Sequence, residues 1–207
     1  MRDSENKEEV KMLYVLLISG ANLIIIAANI LLGALFEGYF PSAAEALCLT
    51  PISTVAVILV DAIAAFAIRR LPGRFFSHGS RLCSVSKGEC SFYNKLGVRR
   101  WREKIPELGM FTGFHKNRVY EPGSIEYIKR YILEANYGAV IHFASAPLGF
   151  LIILLRPSAA LSVGIPVAIV NALLNLLPAF VLRYNLPKLL SLLRMNERRQ
   201  KKKEETV

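Results

Sequence analysis

The stretch MLYVLLISGANLIIIAANILLGALF, residues 12–36, holds no charged side chain. A helix needs about 20 mostly apolar residues to cross the hydrocarbon core of a bilayer. This run is longer than that, so it reads first as a membrane span. It is also too long for the apolar core of a cleavable signal, and no small-x-small cleavage site stands out, so it is expected to stay as an anchor. The residues before it, 1–11, are polar and expected to be disordered.

Three further apolar runs follow, at 47–68, 139–155 and 159–182. The third is short and contains His142 and Pro147. The chain is 53% hydrophobic yet carries a formal net charge of +10. A soluble domain rarely combines the two. The expected fold is therefore an all-α integral membrane protein with four transmembrane helices.

Charge placement suggests how it is threaded, since Lys and Arg gather on the cytoplasmic flanks of spans. Residues 69–133 carry fourteen Lys/Arg against five Asp/Glu, and the tail from Arg183 through Lys203 is basic. The link 37–50 has two acids and no base. These counts predict both termini inside the cell, in the plasma membrane. They give five parts: a disordered leader, 1–11; a first transmembrane hairpin, 12–68; a cytoplasmic, partly helical interfacial segment, 69–133; a second hairpin, 134–185; and a basic tail, 186–207. The basic parts face anionic lipid, where each near-surface cation contributes about 1 kcal/mol. The tail reads as solvated or lipid-facing, so no nucleic-acid partner is expected.

Within the interfacial segment, Pro72 and Gly73 end the second span, and Phe75 and Phe76 are expected to dip into the interface. Residues 92–104 suggest a short amphipathic helix, with Leu96, Trp101 and Ile105 towards the bilayer and Arg99, Arg100, Arg102 and Lys104 snorkelling. Pro106 would stop it, and 109–123 reads as loop. Ser124 is placed to cap a helix that runs unbroken into the third span. There Pro147 withholds the amide hydrogen that the Phe143 carbonyl would receive. Pro187 is expected to turn the chain out of the fourth span.

Polar groups at membrane depth mark function or helix joining. His142 reads either as a general base or as a buried histidine bonded to a neighbouring helix. Glu134, two turns earlier, reads either as its partner or as a solvated or Arg-paired carboxylate. Asp61 reads as structural, because nothing near it in sequence completes a site. Asn22 and Asn29 share one helical face, as do Asn171 and Asn175; such stripes either join helices or contact a substrate hydroxyl. Arg183 and Tyr184 suit the interface, with Arg183 set to meet a phosphate, an anionic head group or Glu134. Cys48, Cys83 and Cys90 lack metal-ligand spacing, so no metal site is expected. No Ser-x-x-Lys, G-x-S-x-G or H-E-x-x-H pattern occurs, which disfavours hydrolase-type covalent chemistry and leaves base catalysis by His142.

Three segments share a pattern: ECSFYNKLGVRRWREKIPEL (89–108), YILEANYGAVIHFASAPLGFL (131–151) and NLLPAFVLRYNLPKLLSLLR (175–194). In order and spacing they resemble the glycosyl-4,4'-diaponeurosporenoate acyltransferase family. The resemblance rests on Glu89, Phe92 and Tyr93; on Arg99, Arg100, Trp101 and Arg102; on Glu134 eight residues before His142; and on Asn175, Arg183, Tyr184 and Asn185. The family can also carry a second acid where Ala139 stands and an Arg where Tyr137 stands. What it implies is transfer of a fatty acyl group to a sugar hydroxyl of a membrane lipid, with His142 and Glu134 catalytic and the other residues of the pattern binding substrate. Acyl-CoA is the implied donor and a lipid-linked hydroxyl the acceptor, with no tightly bound cofactor. Two other classes stand beside it: a small membrane methyltransferase, and a non-enzymatic protein holding anionic lipid.

Overall fold

A computed structural model describes residues 2–36, 38–81, 84–105 and 119–206. The expected stop at Pro106, the loop at 109–118 and Cys83 lie outside these residues. The described residues form six α-helices and no strand. The helices are α1 (Arg2–Leu35), α2 (Ala43–Arg69), α3 (Lys87–Lys95), α4 (Val98–Trp101), α5 (Ile125–Leu148) and α6 (Ile165–Glu204). Four segments are long and apolar enough to cross a membrane: Lys11–Leu35, Ala43–Arg69, Ile125–Leu155 and Pro157–Glu204. The helical membrane protein expected from the apolar runs is therefore present.

Two compact units divide the chain. The first is Met1–Ala67 with Ile141–Leu176, and the second is Ile68–Val140 with Leu177–Val207.

In the first unit polarity is inverted relative to a soluble protein. Leu161, Leu154 and Ile24 are 83%, 73% and 71% exposed, while Asn29, Thr50, Ser53, Ser145, Asn171 and Asn175 are buried. Such an outward face suits lipid, because a buried amide can find a partner on another helix and a lipid-facing one cannot. Asn29 Nδ2 donates to the Ser162 carbonyl at 2.8 Å. Thr54 Oγ1 donates to Asn22 Oδ1 at 2.7 Å. The asparagine face of α1 thus joins helices. Small apolar side chains fill the rest of the core, around Ile25, Val57, Ile152, Val163 and Val167. The helix after Ser124 ends at Leu148, one residue past Pro147, and continues as a 3-10 segment, Gly149–Leu155. Pro147 withholds one helical bond, to the Phe143 carbonyl, and the change of winding follows two residues later at Gly149, a poor helix former. A π-helical turn, Ala160–Gly164, precedes α6.

In the second unit α5 and α6 pack through Ile128, Tyr131 and Ile132 against Leu186, Leu189 and Leu193, at spacings of three and four residues. Ser124 caps α5 as expected: its Oγ accepts from the Tyr127 amide at 3.2 Å.

Four expectations need correction. Residues 2–11 are helical, because α1 begins at Arg2; its Glu8 and Lys11 pair one turn apart at 2.6 Å, which favours helix. Residues 92–104 form no single helix. Gly97 has φ 64°, a left-handed conformation open to glycine, and it separates α3 from α4. Phe76 is buried, stacked on Tyr137 with ring centroids 3.9 Å apart, and does not dip outward. Pro187 does not turn the chain, since α6 runs through it to Glu204. Leu186, Leu189 and Leu193 pack on both sides of that proline, and their burial offsets its lost hydrogen bond.

Candidate functional site

Two groups of polar side chains stand out, one in each unit. In the first unit, α6 carries Asn171 and Asn175 on one face, because residues four apart lie one above the other on a helix. His142 of α5 and Asp61 of α2 meet that face. His142 Nδ1 lies 2.9 Å from Asn175 Oδ1. Asn175 Nδ2 donates to Asp61 Oδ2 at 2.8 Å and to Asn171 Oδ1 at 3.1 Å. Asn171 Nδ2 donates to Asp61 Oδ1 at 3.3 Å. An imidazole, two amides and a carboxylate are thus strung together at membrane depth. Gly149 makes room for them: a Cβ there would come within 2.5 Å of Asn171 Nδ2.

In the second unit, α3 starts at a capping serine. Ser86 Oγ accepts from the Glu89 amide at 3.0 Å. Glu89 holds the third helical position, where a glutamate often folds back on its cap. Here its carboxylate meets Arg183 of α6 instead, through Nε at 2.7 Å and Nη2 at 2.8 Å. Tyr93, one turn on, donates its hydroxyl to Glu89 Oε1 at 2.8 Å. Arg183 Nη2 also donates to the Ser84 carbonyl at 2.9 Å. Partial burial acts to raise the Glu89 carboxyl, but the bonds from Arg183 and Tyr93 outweigh it and hold it below the usual carboxylate range. Burial pushes the Tyr93 phenol well above its ordinary value, and the bond to the Glu89 carboxylate adds to this.

Around this clamp lies an aromatic layer. Tyr93, Val98 and Val181 are buried, and Trp101, Ile105, Phe180 and Tyr184 pack against them. Phe92 sets its ring edge-on to Phe180, centroids 5.8 Å apart. Trp101 Nε1 donates to the Leu96 carbonyl at 3.0 Å. Trp101 and Ile105 therefore pack on their own unit, where the sequence pattern placed them towards the bilayer. Arg102 Nη1 donates to Asn185 Oδ1 at 3.0 Å. Arg99 and Arg100 are exposed on α4. Lys188 Nζ lies 4.6 Å from the centre of the Tyr184 ring.

The pattern residues therefore sort into groups. Glu89, Tyr93 and Arg183 come together, as do Arg102 and Asn185, and His142 and Asn175. Glu134 accepts from Arg69 Nη1 and Nη2 at 3.1 and 3.2 Å, the Arg-paired reading of that carboxylate. Arg183 takes Glu89 as its partner, not Glu134. Sequence reasoning left Asp61, Asn171 and Arg69 out of the site. The signal for Asp61 was present, an ionisable group inside a span. Its partners stand 110 and 114 residues away, where local reading does not reach.

Comparison with curated proteins and with solved structures gives no match. The family model for glycosyl-4,4'-diaponeurosporenoate acyltransferase (CrtO) matches residues 74–195. That range holds the Glu89–Tyr93–Arg183 clamp, the exposed arginines of α4, Glu134, His142 and both asparagines, and it is more than half of the sequence. On that match, this membrane-spanning chain belongs to the glycosyl-4,4'-diaponeurosporenoate acyltransferase family.

Proposed function

We propose that the protein transfers a fatty acyl group from acyl-CoA to a hydroxyl of a glycosylated membrane lipid, with His142 as the general base. Membership of an acyltransferase family supports the reaction class. The observation that carries the base assignment is the 2.9 Å contact of His142 Nδ1 with Asn175 Oδ1, which gives the ring a fixed partner inside a membrane span.

In this reaction His142 takes the proton of the acceptor hydroxyl as its oxygen attacks the thioester carbonyl. The tetrahedral intermediate collapses and expels the thiolate of coenzyme A. The imidazolium returns its proton to that thiolate, so the products are the ester and free coenzyme A. Arg99 and Arg100, exposed on α4, take the donor's phosphates as charge-assisted partners. Arg183 is bound to Glu89, so its task is to hold α3 and the aromatic layer in place beside α6. Phe92 and Trp101 set the depth of that layer at the membrane surface. The protein sits in the plasma membrane with both termini on the cytoplasmic side, where its cationic segments meet anionic lipid.

The test compares lipid extracts, by mass, from cells with and without the protein. A species heavier by one acyl chain is expected only where the protein is present. His142→Gln should remove that species while the protein stays in the membrane. Its persistence in the variant would sink the base assignment.

A further inference from the structure

Asp61 has no place in the reaction just described, and it precedes the residues that match the family. Its carboxylate nevertheless ends the hydrogen-bond chain that begins at His142. We propose that Asp61 is a positioning residue that fixes the tautomer of His142 through the side-chain amide of Asn175.

The inference rests on His142 serving as the base, and it follows from what each group can donate or accept. Both oxygens of Asp61 receive amide donors, from Asn175 at 2.8 Å and Asn171 at 3.3 Å. A carboxylate only accepts, so it must face the NH2 end of Asn175 and not the carbonyl end. The two ends of an amide are alike in shape, and in isolation the side chain has little reason to prefer one orientation. Asp61 supplies the charged and shortest acceptor, and Asn171 reinforces it by accepting from the same Nδ2 through its backbone carbonyl and through Oδ1, each at 3.1 Å. With Nδ2 committed, Asn175 presents Oδ1 to His142. An oxygen only accepts, so Nδ1 of the neutral ring must carry the proton. Nε2 then carries the lone pair, and it is the nitrogen that receives the acceptor's proton.

Replacing Asp61 by asparagine removes the charge with almost no change in shape. Asn175 Nδ2 then keeps only neutral acceptors, the Asn171 carbonyl and Oδ1 at 3.1 Å each, so part of the population can turn the amide by half a turn. Its NH2 group would face Nδ1, which must accept, and the proton would move to Nε2. A base with its proton on the reacting nitrogen cannot take another.

The experiment uses the full-length protein, labelled with 15N-histidine and reconstituted in lipid nanodiscs. The chain has three histidines, and the His142→Gln variant assigns the signal. At a pH where the ring is neutral, wild-type His142 should be protonated at Nδ1 and bare at Nε2. Asp61→Asn should shift the proton to Nε2, wholly or in part, and Asp61→Glu should restore the wild-type pattern. Transfer is followed in the same particles with radiolabelled palmitoyl-CoA and lipids extracted from cells that lack the protein. Asp61→Asn should lower kcat in step with the fraction of rings protonated at Nε2, up to the order of 100-fold for a complete shift, with KM for the donor little changed.

A wild-type ring protonated only at Nε2 overturns the inference without recourse to any variant. So does Asp61→Asn with unchanged tautomer and unchanged kcat while His142→Gln is inactive; that result spares the acyl-transfer reading. Full transfer by His142→Gln overturns the base assignment and this inference together.

Discussion

Gly149 offers a test of the buried amides that leaves every polar group of the site in place. A methyl at this position would stand 2.5 Å from Asn171 Nδ2 and 3.0 Å from Val57 Cγ2. Ordinary contact begins at 3.4 Å, so Asn171 must retreat by about 0.9 Å (3.4 less 2.5). Its bond to Asp61 is already 3.3 Å long and has little slack. The new methyl would also press on Val57. Overpacking of this kind costs about 1–3 kcal/mol, and a weakened interhelical hydrogen bond adds about 0.6 kcal/mol. The replaced glycine returns about 0.5–1 kcal/mol, since alanine has less backbone freedom to lose. The net expectation for Gly149→Ala is about 0.6–3 kcal/mol, a fall in Tm of roughly 1–12 °C for a chain of this size. Thermal unfolding in mild detergent measures it. The decisive arm is a double-mutant cycle with Asn171→Ala, which removes the obstructing amide. In that background Gly149→Ala should cost less than half as much. Strictly additive costs would refute the clash as the cause.

Other expectations follow from the second unit. Folding lowers the Glu89 carboxyl, so the clamp's contribution is complete above the unfolded carboxyl's pKa and is lost as pH falls through the folded value. Glu89→Gln should therefore be less stable than wild type near about pH 7, with the gap closing towards about pH 3; a gap that ignores pH would exclude the carboxylate as its source. Tyr137 donates its hydroxyl to the Leu71 carbonyl at 2.7 Å and stacks on Phe76. Tyr137→Phe should cost about 1 kcal/mol and Tyr137→Ala about 3–5 kcal/mol, read by denaturant titration in detergent. Equal losses would deny the stack any part in holding Phe76.

The spans could be read from sequence because a long apolar run has one main physical use, and the cap of α5 because Ser124 meets a local rule. Residues 92–104 misled because their apolar and basic spacing hid the local signal of Gly97, a glycine in the left-handed region just past the end of α3. Pro187 misled for the opposite reason: a local breaker was overruled by Leu186, Leu189 and Leu193. The carboxylates show the limit most clearly. Glu89, Glu134 and Asp61 were each visible as ionisable groups, yet their partners lie 94, 65 and 110 or more residues away. Sequence named the ionisable groups; their pairing depends on which helices stand side by side.

The inverted polarity of the first unit reverses the usual map of mutational tolerance. Positions such as Ile24, Leu154 and Leu161 lie on the outside, where one oily side chain serves as well as another of different shape, but where a single charge is expensive. The interior positions Asn29, Asn171 and Asn175 accept few replacements, because each must match donors and acceptors on another helix or backbone. Drift within such a family would then blur the surface while keeping its oiliness, and the record of common descent would survive best in a few inward-facing amides.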